Sequence, residues 1–147
     1  MKNNIPNSCK VVVIGGGVAG CSTAYHLAKF GWKDTVLLER DVITSGTTWH
    51  AAGLIGQLGS SATITKLRNY SLNLYRQLEK ETGLSTGLKQ NGSLTVATTH
   101  DRLEELKRQV TFAQRFEIEA KEVNQEEIKE IYPLINTDDI VGGVFIA

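Results

Sequence analysis

The sequence predicts an α/β chain that opens as a β-α-β unit of a parallel sheet. Three observations carry this. Lys10 to Ile14 is a short β-branched run, the pattern of a strand buried on both faces. A glycine cluster follows at once, with Gly15, Gly17 and Gly20 in G-x-G-x-x-G spacing, and a stretch rich in small residues runs from it to Phe30. Thr35 to Leu38 then reads as a second short strand, closed by the acid Glu39.

Each glycine has a physical task. Gly15 allows the tight turn out of the strand, and Gly17 lets the backbone approach a pyrophosphate where a Cβ would collide. Gly20 lets the helix pack closely on the sheet. Val18 and Ala19 sit at the helix start, where N–H groups and the helix dipole attract phosphate. Gly20, Ala24, Leu27 and Ala28 share one face at helical spacing, so mostly small residues meet the sheet. Gly31 fits the C-terminal cap. Glu39 stands about 20 residues past the glycines, where a ribose-binding carboxylate belongs. A carboxylate accepts from both ribose hydroxyls and repels a 2′-phosphate, which disfavours an NADP-type ligand. The bland alternatives are an ordinary βα turn and a solvated strand-end acid; the combination favours a dinucleotide.

Small and hydroxyl residues dominate from Arg40 to Gly56, including Gly46-Thr47-Thr48-Trp49-His50-Ala51-Ala52-Gly53-Leu54. Hydroxyls and backbone N–H groups suit a pyrophosphate and the edge of a flavin ring, and small side chains let a planar ligand lie close. On the residues alone, His50 has two readings: it packs or hydrogen-bonds locally, or it meets the ligand. Trp49 is expected to pack against the domain.

Gly53 to Ala62 is rich in Gly and Ser and reads as a mobile crossing loop. Ile64, Leu67, Ser71, Leu74 and Leu78 follow helical spacing that ends near Gly83. Tyr70 and Tyr75 widen that stripe as core or interface packing. Asn91-Gly92 is a turn, and Gly92 to Thr98 reads as a strand. Thr98 with Asp101 resembles a capping pair opening a helix from Asp101 to Val110 with a solvated, charged face. Phe116 to Val123 gives another strand pattern. Asn124 with Glu127 caps a short helix that stops before Pro133, and Val141 to Ala147 reads as a strand. His26 and His100 carry no catalytic role.

The chain of 147 residues has 41% hydrophobic content, enough for a real core. Its 16 acids balance 16 bases, so nothing points to nucleic acid or an anionic membrane as partner. There is no apolar run long enough for a membrane span. Met1 to Ser8 lacks the apolar segment of a secretory signal. Cys9 and Cys21 are read as free, structural thiols. The three histidines are scattered, there is no C-x-x-C, and no metal site is expected.

Several stretches together resemble the N-terminal part of the dimethylglycine dehydrogenase and sarcosine dehydrogenase group, within the D-amino-acid-oxidase-like flavoproteins. They are Gly15 to Gly20, Glu39-Arg40, Ser45 to Leu54, Tyr70 to Tyr75, Gly92-Ser93-Leu94, Ala97-Thr98-Thr99 and Tyr132-Pro133-Leu134. The resemblance covers nearly the whole chain, and Thr47 to Gly53 is its most specific part.

It implies a Rossmann-like FAD-binding domain of the D-amino-acid-oxidase type, followed by the beginning of an α+β substrate domain. Residues 1–60 would form the first half of a discontinuous FAD-binding domain, and residues 61–147 a connecting helix and the start of the substrate domain. Relatives continue beyond Ala147, so the chain is expected to be truncated. The resemblance assigns pyrophosphate to Gly15, Gly17 and Gly20, ribose to Glu39, and the cofactor's lining to Arg40 and Gly46 to Leu54. It gives His50 the covalent attachment of FAD, through a ring nitrogen to the 8α-methyl carbon. A neutral imidazole suits that bond, and an ordinary histidine largely supplies one at neutral pH.

The implied chemistry is hydride transfer from the N-methyl carbon of a small amine, such as dimethylglycine or sarcosine, to flavin N5. The product imine is hydrolysed or passed to tetrahydrofolate, which belongs to the C-terminal part. The electron acceptor is oxygen or an electron-transfer flavoprotein. No catalytic base is visible. The cytoplasm is the default location, with the mitochondrial matrix for an animal member. Three alternatives stay open: a regulatory homologue resembling the regulatory subunit of pyruvate dehydrogenase phosphatase, a non-covalent FAD amino-acid oxidase, and a NAD-binding Rossmann protein.

Overall fold

The computed structural model describes residues 6–147. The start of the N-terminal segment read above for a signal lies outside the described residues. The chain forms two compact units that divide between Leu54 and Ile55.

In the first unit, strand β1 (Val11–Ile14) is followed by helix α1 (Val18–Lys29) and strand β2 (Thr35–Leu38). β1 and β2 pair in parallel, Val11 opposite Thr35 and Ile14 opposite Leu38. The ladder runs one residue further, where Gly15 N–H donates to the Leu38 carbonyl at 2.8 Å. Gly15 has φ +100°, a conformation that an L side chain strains to adopt. α1 ends where Gly31, at φ +86°, donates its N–H to the Ala28 carbonyl.

The expectation that β1 is buried on both faces is corrected. Val13 is buried, but Val12 is 49% and Ile14 85% exposed. Alternate residues of a strand face opposite sides, and α1 covers only one side of this two-stranded sheet. Of the four residues predicted to share the packed face of α1, Gly20, Ala24 and Leu27 are half-buried and Ala28 is exposed.

The second unit holds helix α2 (Ala62–Thr82), strand β3 (Ser93–Ala97), helix α3 (His100–Gln114), strand β4 (Ala120–Val123), helix α4 (Gln125–Ile131) and strand β5 (Gly142–Ile146). The three strands form an antiparallel sheet in the order β3-β5-β4. Strand alternation splits its core in two. Ala97 and Val144 pack with Leu106, Leu103 and Val110 of α3. Val123, Val96, Leu94 and Phe145 gather with Ile128 of α4 and with Ile140. Gly143 lies at the centre, where a Cβ would stand 2.7 Å from the Thr95 carbonyl oxygen.

The segment before α2 is tied down rather than loose. Gly59 N–H donates to the buried Thr65 hydroxyl at 3.1 Å, the Arg68 guanidinium to the Leu58 carbonyl, and Gln57 Nε2 to the Ala147 carbonyl. α2 starts at the Ser61 cap and stops at Gly83, φ +70°. Leu72 on it is buried, Tyr75 half-buried and Tyr70 49% exposed.

Two boundaries shift. The cap of α3 is Thr99, whose hydroxyl accepts from Arg102 N–H at 3.2 Å, and not Thr98 with Asp101. α3 begins at His100, and a cap is the residue just before the helix that reaches the N–H three residues on, so Thr99 takes that place. The strand expected from Phe116 begins only at Ala120. α3 runs on to Gln114, Phe116 meets Phe112 edge to face with ring centroids 5.1 Å apart, and Glu117 turns the chain at φ +57°.

Asn124 and Glu127 form the predicted capping box. The Asn124 side chain accepts from Glu127 N–H, the Glu127 carboxylate accepts from Asn124 N–H, both at 2.9 Å, and Lys121 pairs with the same carboxylate at 3.3 Å. Cys9 and Cys21 are free thiols. Among the described residues no helix is long and apolar enough to cross a membrane, and no cluster of His, Cys, Asp and Glu could hold a metal ion. Asn124→Ala should lower stability by about 1 kcal/mol, the ordinary value of an N-cap, read by urea denaturation.

Candidate functional site

β1 and β2 end side by side at Ile14 and Leu38, and the chain leaves both at the same edge. An open α/β sheet binds its ligand at the carboxyl ends of its strands. A cleft of about 450 Å³ opens there, lined by Ile14, Gly15, Gly17, Leu38, Glu39, Arg40, Asp41 and the run Ser45 to Thr48. Ligand pockets commonly measure about 300–1,000 Å³.

The glycines are required by contacts. A Cβ on Gly20 would run into the Gly15 carbonyl oxygen, so α1 can sit this close to the turn only with glycine there. A Cβ on Gly17 would stand 3.0 Å from the Thr48 hydroxyl. Gly16, the middle glycine, is buried, and its N–H donates to Glu39 Oε2 at 2.6 Å. The other oxygen of Glu39 accepts from Asp41 N–H at 3.2 Å. The Gly16 and Asp41 N–H groups hold the Glu39 carboxyl below the usual carboxylate range.

The second motif closes on the first. Gly17 is the N-cap of α1 and has no side chain to offer. Thr48 takes that part from across the cleft, its hydroxyl accepting from Val18 N–H at 2.9 Å. Thr44 N–H donates to the Gly16 carbonyl at 2.9 Å while Thr44 itself sits at φ +70°, a strained position for a β-branched residue. Thr47–His50 forms a single 3-10 turn.

Of the predicted residues, Gly15, Gly17, Glu39, Arg40, Gly46, Thr47 and Thr48 come together around the cleft. Val18, Ala19 and Gly20 form the first turn of α1 beside it. Trp49, His50, Ala51, Ala52, Gly53 and Leu54 are exposed and do not line it; Leu54 is 91% exposed. Trp49 does not pack against the domain. It is 66% exposed, its Nε1–H donates to the Ser45 carbonyl at 3.0 Å, and its ring lies on that of His50. The indole N–H is satisfied by a carbonyl four residues back in its own segment, so the ring is held there and stays exposed. Sequence reasoning missed Gly16, Thr44, Ser45 and Asp41. Gly16 carried a usable signal, since an acid at the end of β2 needs a donor and the glycine turn is the nearest backbone.

The residues fit a dinucleotide. The start of α1 carries no acid in its first turn and no side-chain cap from its own N-cap residue, which leaves its dipole available to a pyrophosphate. The glycines keep that approach free of side chains, and Glu39 stands at the end of β2 with lone pairs for ribose hydroxyls. Gly20→Ala should abolish dinucleotide binding and lower the melting temperature, measured by flavin titration and calorimetry.

Glu39 also makes stability depend on pH. Its folded pKa lies below the ordinary 4.5, so its contribution is complete above 4.5 and is lost as pH falls through the lowered value. Denaturation of Glu39→Gln should therefore show a flatter loss of stability below pH 4.5 than the parent does.

A family model described as FAD dependent oxidoreductase matches residues 10–147. Human mitochondrial sarcosine dehydrogenase is 46% identical over 143 residues, covering 97% of this chain and 16% of that protein. The mouse pyruvate dehydrogenase phosphatase regulatory subunit is 40% identical over 142 residues, with 97% and 16% covered. Rat mitochondrial dimethylglycine dehydrogenase is 43% identical over 136 residues, with 92% and 16% covered. The chain thus spans 16% of the length of these curated relatives. Among solved structures, the crystal structure of L-proline dehydrogenase from P. horikoshii superposes with a TM-score of 0.88 at 28% identity, covering 97% of this chain and 37% of that one. With the glycine turn, Glu39 and Thr48 gathered at one strand edge and the family model matched from Lys10 to the last residue, the chain belongs to the FAD dependent oxidoreductase family.

Proposed function

We propose that the whole protein is an FAD-dependent oxidoreductase that oxidises a small N-methyl amino acid such as dimethylglycine or sarcosine. The observation that carries this is the junction of the two motifs, in which Thr48 caps α1 directly over Gly17 and beside Glu39. The 46% identity to sarcosine dehydrogenase supports the substrate class.

In this reading Gly15, Gly17 and the start of α1 hold the pyrophosphate, and Glu39 accepts hydrogen bonds from the ribose. Arg40 and Gly46 to Leu54 lie along the rest of the cofactor, with His50 as its attachment point through a ring nitrogen to the 8α-methyl carbon. When bound, the flavin supplies N5 as acceptor of a hydride from the N-methyl carbon. This chain's share is binding, orientation and electrostatics. Residues 1–60 act as the first half of the FAD-binding domain, and residues 61–147 begin the substrate domain. The amine-contacting groups, any tetrahydrofolate site and the contact with the electron acceptor, oxygen or an electron-transfer flavoprotein, belong to the rest of the protein. The mitochondrial relatives support a matrix location for an animal source.

One observation favours a second reading. The similarity to the phosphatase regulatory subunit fits a flavin-binding protein that turns over no amine. Adding sarcosine or dimethylglycine under anaerobic conditions separates the two: the enzyme's flavin band bleaches, and the regulatory protein's does not.

The attachment is tested by acid denaturation of the full-length protein and separation from small molecules. Flavin should stay on the polypeptide of the parent and be absent from that of His50→Ala. Flavin in the filtrate of the parent removes His50 as anchor.

A further inference from the structure

Trp49 and His50 form a ring pair outside the cleft lining. Their centroids are 3.8 Å apart and the planes are tilted by 32°. Tryptophan normally buries about 150–250 Å², yet Trp49 is 66% exposed, so the pair is not a product of core packing. Residues adjacent in a helical turn point in different directions, so a face-to-face contact between them requires both side chains to be directed inward to each other. Two fixed points do this. The indole Nε1–H is anchored on the Ser45 carbonyl at 3.0 Å, which sets the plane of the tryptophan. The turn carrying both rings is fastened to the start of α1 by Thr48 and Val18 N–H at 2.9 Å.

We infer that Trp49 is a positioning residue for His50: its anchored indole lies against the imidazole of the exposed His50 and limits the rotamers that ring can adopt. This rests on the reading of His50 as the cofactor's attachment point. An unrestrained imidazole on an exposed turn samples several rotamers, and only some aim a nitrogen at a given carbon. The indole removes that freedom before the ligand arrives, which raises the fraction of productive encounters. In that attachment a His50 ring nitrogen bonds the 8α-methyl carbon, the imidazole N–H and one methyl C–H are given up, and the two electrons pass to the flavin ring, whose reduced form dissolved oxygen reoxidises. The contribution of Trp49 therefore belongs to the rate at which flavin becomes fixed to the chain, and much less to the affinity for free FAD.

The test uses full-length protein produced under riboflavin starvation and mixed with FAD. Acid-quenched samples give the flavin retained on the polypeptide with time, at several FAD concentrations. Trp49→Leu should lower the limiting rate of retention about two- to tenfold, the range expected for ordering one side chain, with a smaller change in the half-saturating FAD concentration. Trp49→Phe keeps a ring but loses the anchor to Ser45, and should recover part of the rate. Melting temperatures of the cofactor-free variants should match the parent, which separates positioning from folding. If Trp49→Leu is unstable, Trp49→Phe alone decides, through loss of the anchor. Retention at the parent rate in these variants overturns the inference while leaving the His50 reading intact. A parent protein that releases its flavin in acid, or a His50→Ala variant that keeps it, overturns both.

Discussion

The 2.6 Å hydrogen bond from Gly16 N–H to the Glu39 carboxylate is the contact on which the edge of the cleft depends. It joins the turn after β1 to the residue after β2, so two strands that share only four paired positions also share a fixed end. Because Glu39 is held there, Arg40 and Asp41 leave the sheet in a set direction, and the chain comes back over the glycine turn through Thr44 and Thr48. A charged acceptor makes such a bond stronger than a neutral one. The same carboxylate also takes the Asp41 N–H and lines the cleft, so one side chain both builds the edge and faces the space beside it.

The local parts of this design were legible in the sequence. Gly15 at positive φ, Gly20 against the Gly15 carbonyl and the Asn124–Glu127 box are each decided within a few residues, and spacing alone reveals them. Thr48 as the cap of α1 was not legible, because it satisfies a backbone group 30 residues away. The exposed Ile14 was misread for a related reason: the β-branched run reports a strand's affinity for cover, while the cover itself is a matter of which other elements pack on it. Thr98 and Phe116 show a third limit. Helix α3 reaches past the expected Asp101 to Val110 at both ends, and the predictions on either side of it moved with it.

The two units use different physics. In the second, strand alternation sends Val144 and Phe145 to opposite faces, and α3 and α4 supply an apolar partner for each. Gly143 in β5 is kept small by the Thr95 carbonyl and by Ile128. The first unit spends its composition on glycines and hydroxyls rather than on large apolar groups. It has the geometry of a binding edge and a modest core, with Val13 its one buried large apolar side chain among the described residues.

That economy has a consequence for how the polypeptide is made. Val12 and Ile14 leave one side of the β1–β2 pair bare, and among the described residues each of those strands has a single neighbour. Unpaired strand edges beside apolar surface recruit other strands, including those of neighbouring copies. The first unit also leaves the ribosome before the second. During synthesis it therefore needs shielding before the second unit does, and cooler, slower expression or added chaperone should raise soluble yield by protecting this face.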